Sequence, residues 1–350
     1  MQNSKIKNQK CNLKFKTFAF CLVILTFYFC LLPLINKVHA QSLSLSLYPP
    51  LLEVTVKPGK SITQVYKLAN DGETDLVVGS EILPFEPEDE LGNIKLLTPK
   101  TFPSPTIDWF SFQNADLQLG QKFLLKAGQA QQVVLAIKIP STAKEDDYYL
   151  TLLFETQPSD FNGGLSGTQA QAKIGANILL TISETGEPPR KAEIIEFKVQ
   201  SAKLKVIDSF TPPQFVLRIK NTGRSFFKPM GIITTTGWFG QKYPLNLLPE
   251  NILTKSTREI GCENDEETKI CRLKAKFLLG PYEAKAEFGL DKVSSDYSAR
   301  LIFIALPIKL FLIILGLIIF GIIVYFVKNR QFWQNKFNVS LDKEHKILSN

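Results

Sequence analysis

Residues 310–327, LFLIILGLIIFGIIVYFV, carry no charge and lie between Lys309 and Lys328, with Arg330 just beyond. No other stretch narrows the possible folds so far. At about 1.5 Å rise per residue, this run spans roughly 27 Å as a helix, close to the ~30 Å hydrocarbon core of a bilayer. Residues 301–308 are also apolar. A transmembrane helix is therefore expected over 301–327, with the Lys309 ammonium reaching the headgroups and Lys328 and Arg330 marking the far boundary. A buried core helix is the competing reading, but such helices seldom run so long without a polar face. Gly316 and Gly321 stand five apart rather than four, which gives no support to a G-x-x-x-G pairing face. The helix reads as a tether.

The other end of the chain carries a second topological signal. Lys5, Lys7, Lys10, Lys14 and Lys16 precede an apolar run over 17–35, and Val38-His39-Ala40 follows the small-residue rule for cleavage. Residues 1–40 are expected to be a signal peptide, with an uncleaved N-terminal anchor as the alternative. Lys328, Arg330 and Lys336 place the tail 328–350 in the cytoplasm. The expected arrangement is a single-pass plasma-membrane protein, with residues 41–300 outside.

These signals account for the charge of +8. Residues 1–40 hold six lysines and no acid, so the remainder is 35 − 33 = +2, and residues 41–300 carry 29 − 31 = −2. The basic balance belongs to membrane insertion, and nucleic acid is not an expected partner. Within the exported part, 41–187 is 10 − 18 = −8 and 188–300 is 19 − 13 = +6. That asymmetry would let the two parts attract one another or favour a charged polymer, although two solvated surfaces explain it equally well. Cys11, Cys21 and Cys30 fall in the signal segment, leaving Cys262 and Cys271. In an exported segment this pair is expected to form a disulfide, with two free thiols as the alternative.

The exported region reads as β throughout. Residues 42–47, SLSLSL, alternate strictly, and 51–56 continue the pattern to Pro58-Gly59. Asn70-Asp71-Gly72 separates runs at 62–69 and 76–83, and further runs lie at 133–139, 148–156 and 173–183. A polar, Pro-bearing segment at 186–190 divides this set from runs near 192–199, 215–220, 231–239, 272–278 and 282–290. Val65-Tyr66-Lys67-Leu68-Ala69-Asn70-Asp71-Gly72 and Val216-Leu217-Arg218-Ile219-Lys220-Asn221-Thr222-Gly223 echo each other. The expected fold class is all-β: two tandem immunoglobulin-like β-sandwiches, at 41–185 and 191–293, then a stalk at 294–300 and the helix.

The chain holds two histidines, His39 and His345. None lies in the exported part, which excludes Ser–His and Cys–His nucleophile pairs and His-ligated metals there. Ser166 follows Gly164-Leu165, but Thr168 stands where a G-x-S-x-G elbow needs its closing glycine. Asp146-Asp147 and the acids of 86–93 remain, yet adjacent acids do not predict two carboxyls converging across a cleft. No enzyme, cofactor or resident metal is expected. EPEDELGN at 86–93 could offer oxygen ligands to calcium but lacks EF-hand spacing, so a solvated acidic loop is the favoured reading. The Gly/Ser-rich segment 157–171 makes Phe161 a candidate contact residue. Among the aromatic runs Trp109-Phe110 and Trp238-Phe239, neighbours on a strand face opposite ways, and Trp238 between Gly237 and Phe239 is a second candidate contact.

This layout resembles the WxL-interacting proteins of Gram-positive surfaces. The similar stretches are 50–70, PLLEVTVKPGKSITQVYKLAN, residues 125–154, LKAGQAQQVVLAIKIPSTAKEDDYYLTLLF, and Lys220-Asn221-Thr222-Gly223 with Leu279-Gly280-Pro281-Tyr282-Glu283-Ala284. The resemblance implies a first domain associated with peptidoglycan and a second with host surfaces. The chain lacks the family's Asn-Gln…Tyr-Phe-Asp-Leu segment, and no functional residue carries over. No sortase-type L-P-x-T-G precedes the helix; Leu248-Pro249-Glu250-Asn251-Ile252 is nearest and lies inside a domain.

The expected function is a membrane-anchored binding or scaffold protein that presents its sandwiches to cell-wall polymer or a surface protein. The alternative is an assembly chaperone that lends an edge strand, such as 42–47, to exported subunits. A carboxylate-based glycan hydrolase stands third.

Overall fold

Alternation builds both halves of the molecule. Along β3 (Ser61–Asn70), Tyr66, Leu68 and Asn70 are buried while Lys67 and Ala69 between them are not. That is the period of a strand with one face on a core. The computed structural model describes residues 44–98, 105–157, 171–200, 205–263 and 270–347. The expected signal segment and Phe161 lie outside them.

The first sandwich comprises β1 (Leu45–Tyr48), β2 (Leu51–Val56), β3, β4 (Leu76–Pro87), β5 (Ile94–Leu96), β6 (Phe110–Phe112), β7 (Lys122–Leu125), β8 (Ala130–Lys138), β9 (Asp147–Gln157) and β10 (Lys173–Ile182). One sheet has the order β1-β3-β8-β6 and the other β2-β10-β9-β4-β5, with β7 also on β4. Between β1 and β2 the chain crosses from sheet to sheet at Tyr48-Pro49, a cis bond. Before the crossing β1 pairs antiparallel with β3; after it β2 pairs parallel with β10. The strand expected to be free for donation at 42–47 is thus bonded to β3 over 45–47. Leu47 is committed to the core, where it joins Tyr66, Leu135, Ile137 and Phe154.

The second sandwich repeats this plan. It comprises β11 (Ala192–Val199), β12 (Val206–Asp208), β13 (Gln214–Asn221), β14 (Pro229–Gly237), β15 (Lys242–Asn246), β16 (Thr257–Glu259), β17 (Cys271–Arg272), β18 (Gly280–Leu290) and β19 (Tyr297–Leu306). Again the leading strand splits: β11 pairs antiparallel with β13, and β12 pairs parallel with β19. The core gathers Phe215, Phe227, Phe288 and Phe303, and it encloses the disulfide between Cys262 and Cys271.

One boundary differs from expectation. Residues 297–306 form β19, so no stalk fills 294–300, the second sandwich runs past 293, and the helix does not begin at 301. Phe303 and Ala305 point into the core while Ile302 and Ile304 point out, so an apolar run that read as helix has a strand's period of two. Helix α1 (Ile308–Ile347) follows after Pro307, and its stretch Ile308–Arg330 is long and apolar enough to cross a membrane. Those 23 residues make roughly 34 Å of helix.

Candidate functional site: the domain junction and an open strand edge

Asp147 opens β9 and holds the two sandwiches together. Its Oδ1 accepts the Thr181 hydroxyl at 2.7 Å, and its Oδ2 accepts the Tyr149 hydroxyl at 2.7 Å. From the second sandwich, the Phe226 N–H donates to the same Oδ2 at 2.6 Å. The Tyr149 oxygen also accepts the Thr254 N–H at 3.0 Å. Burial, and then the Asp147 charge, push the Tyr149 phenol above its ordinary range. Around this node Phe85 and Leu179 of the first sandwich pack with Phe226 and Leu253 of the second. The carboxylate of Asp147 is thus an acceptor in a joint between the domains.

A second polar contact lies beside the first. Glu53 on β2 receives the Lys228 ammonium at 2.7 Å and also the Asn251 amide. The acidic segment 86–93 completes the junction. Asp89 folds it into a turn, accepting the Asn93 side-chain amide at 2.6 Å and the N–H groups of Leu91 and Asn93. These bonds, the Asn93 amide foremost, hold the Asp89 carboxyl below its usual range. The Glu90 carbonyl accepts the Glu259 N–H at 2.7 Å, and its carboxylate meets Arg218 at 3.1 Å. Gly92 lies under the Arg258 guanidinium, which a Cβ would displace, and has φ +93°. The segment expected to be a solvated acidic loop does keep Glu86, Glu88 and Asp89 exposed, and through Glu90, whose carboxylate meets Arg218, it also forms a strut between the domains. Among the described residues no cluster of His, Cys, Asp or Glu could hold a metal ion.

Behind the strut is a cavity of about 320 Å³, bounded by Phe85 and Leu179 from below and by Lys228, Asn251 and Arg258 from above. Glu53 pairs there with Lys228 and Glu250 with Arg258, while Asp89 is held by Asn93 and the N–H groups of its own turn. It has the size of a small-ligand pocket.

The open edge follows from the split leading strands. In the second sandwich β12 covers β19 only over Ile304–Leu306. On that side, among the described residues, no strand pairs with 297–303; β11 passes nearby but bonds β13 in the other sheet. The Ile304 N–H donates outward to the Lys205 carbonyl at 2.9 Å. Backbone groups alternate sides along a strand, so those of Ser298, Arg300 and Ile302 point the same way. The first sandwich has the shorter equivalent: β2 meets β10 only from Asn177 onward, and among the described residues no strand pairs with 173–176 on that side. This edge was not singled out in the sequence, because its opening depends on where a distant strand changes sheets.

Of the sequence candidates, Trp238 sits at the tip of the β14–β15 hairpin with 72% of its surface exposed. Lys309 stands in the first turn of α1, its ammonium 3.5 Å from Asp208, while Lys328 and Arg330 lie along the helix. The described residues do not bring Trp238 near the domain junction; the two lie at opposite ends of the second sandwich.

No protein-family model matches the chain, and no curated protein does. Similar solved structures include the class 5 fimbriae chaperone CfaA, at 12% identity over 75% of this chain and 100% of that one, with a TM-score of 0.37. The E. coli chaperone DraB matches at 12% identity over 74% and 98%, with a TM-score of 0.35. The Pseudomonas aeruginosa CupB2 chaperone matches at 10% identity over 72% and 97%, with a TM-score of 0.31. The likeness is one of fold.

Proposed function

We propose that this chain is a membrane-anchored, exported protein-binding module that holds a partner by main-chain pairing, in the manner of an assembly chaperone. The observation that carries the reading is the row of outward backbone groups at Ser298, Arg300 and Ile302, which no described strand meets. An extended segment laid along that edge would gain main-chain hydrogen bonds, with specificity from alternate side chains. The junction built on Asp147 and Glu53 supports the same reading by holding both sandwiches in one orientation. The lysine-rich flank after the apolar helix supports an outward-facing pair of sandwiches above a cytoplasmic tail.

A photo-crosslinker at Ser298 in the full chain, expressed in intact cells, is expected to trap an exported protein. Arg300→Pro removes one outward N–H without touching the bonds to β18. It should abolish that crosslink, while Arg300→Ala keeps it. Crosslinking that is indifferent to the proline would sink strand pairing as the mode of binding.

The cavity at the junction favours a second reading, a scaffold that takes a short polar piece of a wall polymer or surface protein there. Hydrogen exchange distinguishes the two. Protection confined to β19 supports the first, and protection of 249–258 on adding wall fragments supports the second.

A further inference from the structure

The end of the second sandwich away from the first is apolar and aromatic at its surface. Trp238 and Phe239 occupy the tip of the β14–β15 turn, 72% and 74% exposed, with their rings stacked at 5.9 Å. The turn is fixed: the Gly237 N–H donates to the Gln241 carbonyl at 2.8 Å, and the Gly240 N–H to the Gly237 carbonyl at 2.9 Å. Gly240 takes φ +79°, which a side chain would resist. A second exposed pair, Phe210 and Phe277, lies on neighbouring loops with ring centroids 5.2 Å apart. A soluble surface does not ordinarily gather four exposed aromatic rings at one end, and such patches mark an interaction site.

The place of these rings says what covers them. The Leu278 N–H donates to the Ser209 carbonyl, and Gly280, next to the Trp238 ring, pairs with Ala305. The last residue of β19 is Leu306, and α1 begins two residues later at Ile308. The aromatic end and the start of the apolar helix are thus one surface. They are also clamped together. The Asp208 carboxylate at the end of β12 accepts the Lys309 N–H at 3.1 Å, capping the helix, and pairs with the Lys309 ammonium at 3.5 Å. Exposed Lys274 and Lys276 flank Phe277, and Lys242 borders the turn that carries Trp238.

We infer that this end of the second sandwich docks on the bilayer that receives its own helix, with Trp238, Phe239, Phe210 and Phe277 in the interfacial layer and the lysines among anionic headgroups. Indole and phenyl rings favour that layer, and lysine is drawn to anionic lipid. The inference rests on the proposed membrane anchoring. It adds that the sandwich sits down on the membrane and does not swing free on a tether.

The test uses the full chain reconstituted in vesicles of phosphatidylcholine and phosphatidylglycerol whose acyl chains carry bromine at a shallow or a deep position. The chain has three tryptophans. Trp109→Phe with Trp333→Phe leaves Trp238 as the reporter. A companion with all three replaced and Phe320→Trp reports on the middle of the helix. The Trp238 reporter is expected to lose emission to shallow bromines more than to deep ones, and to shift to the blue relative to detergent. The Phe320→Trp reporter should show the reverse depth order. Quenching in the helix with none at Trp238 overturns the docking and leaves the anchor intact. No quenching at either site overturns the anchor and the docking together. In plain phosphatidylcholine the Trp238 quenching should weaken; quenching that ignores lipid charge overturns the part assigned to the lysines.

Discussion

Asn70 and Asn221 do the same thing at the ends of β3 and β13. Each side-chain amide donates to the carbonyl four residues on, Thr74 or Ser225, at 2.7 and 2.9 Å. Each donates again to a distant carbonyl, Leu125 or Ile252, at 3.2 and 3.0 Å. Each Oδ1 accepts the N–H two residues on, from Gly72 or Gly223. Both side chains are buried, and each closes the turn after its strand by satisfying three backbone groups. Replacing either by Ala strands two carbonyls and an N–H, at about 1–3 kcal/mol for each buried group left unmet. With partial rescue by water, Asn70→Ala and Asn221→Ala should each lower stability by about 2–4 kcal/mol in urea unfolding. A loss below half a kcal/mol would mean the turns close without them.

The same equivalence reaches the turns these amides touch. The Gln129 N–H donates to Lys126 and the Ser256 N–H to Leu253, both at about 3.1–3.2 Å. The residue before each donor is left-handed: Gly128 with φ +66° and Lys255 with φ +62°. A side chain there costs about 1–2 kcal/mol, against roughly 0.5–1 kcal/mol of backbone entropy for glycine. Gly128→Ala should therefore destabilise by about 1 kcal/mol, while Lys255→Gly should gain about 0.5–1 kcal/mol. Thermal melts of the two variants should move in opposite directions.

At the domain junction, Tyr149 has its pKa raised by burial and by Asp147, and the neutral phenol is the form that bonds. Stability from this group is complete below the ordinary tyrosine value of 10.0 and falls as pH rises beyond it, because the unfolded chain releases the proton first. Tyr66, also buried and raised, adds to the same alkaline loss. Its hydroxyl has no partner among the described residues, so Tyr66→Phe should be neutral or stabilising by about 1 kcal/mol. In that background Tyr149→Phe should reduce the remaining alkaline slope of the unfolding midpoint, leaving the share of Tyr148, which burial also raises. Asp147→Ala should uncouple the sandwiches, seen as two calorimetric transitions in place of one.

The disulfide closes a loop of nine residues' separation and holds β17 against β13. For so short a loop the chain-entropy picture gives roughly 2–3 kcal/mol. Reduction, or Cys262→Ala with Cys271→Ala, should cost about that much in the second sandwich alone. Hydrogen exchange should therefore quicken most around Phe215.

Much of the architecture was legible from local rules. Period-two patterning gave the β class, Asn70-Asp71-Gly72 and its echo at Asn221 marked equivalent turns, and the uncharged run 310–327 announced the helix. Local rules failed where meaning depends on a distant partner. Apolar residues 301–306 look like more helix until β18 is beside them. Glu90 looks like one more solvated acid of 86–93 until Arg218 arrives from the other domain. By itself the sequence determined which segments alternate, where they turn and which stretch suits a bilayer, because those follow from each residue's own neighbours and chemistry. Only the tertiary structure decided that Asp147 joins the two sandwiches, that no described strand covers 297–303 on one side of β19 and that Trp238 stands level with the helix start. Each of these is a distance between segments far apart in the chain, set by the crossing of a strand from one sheet to the other.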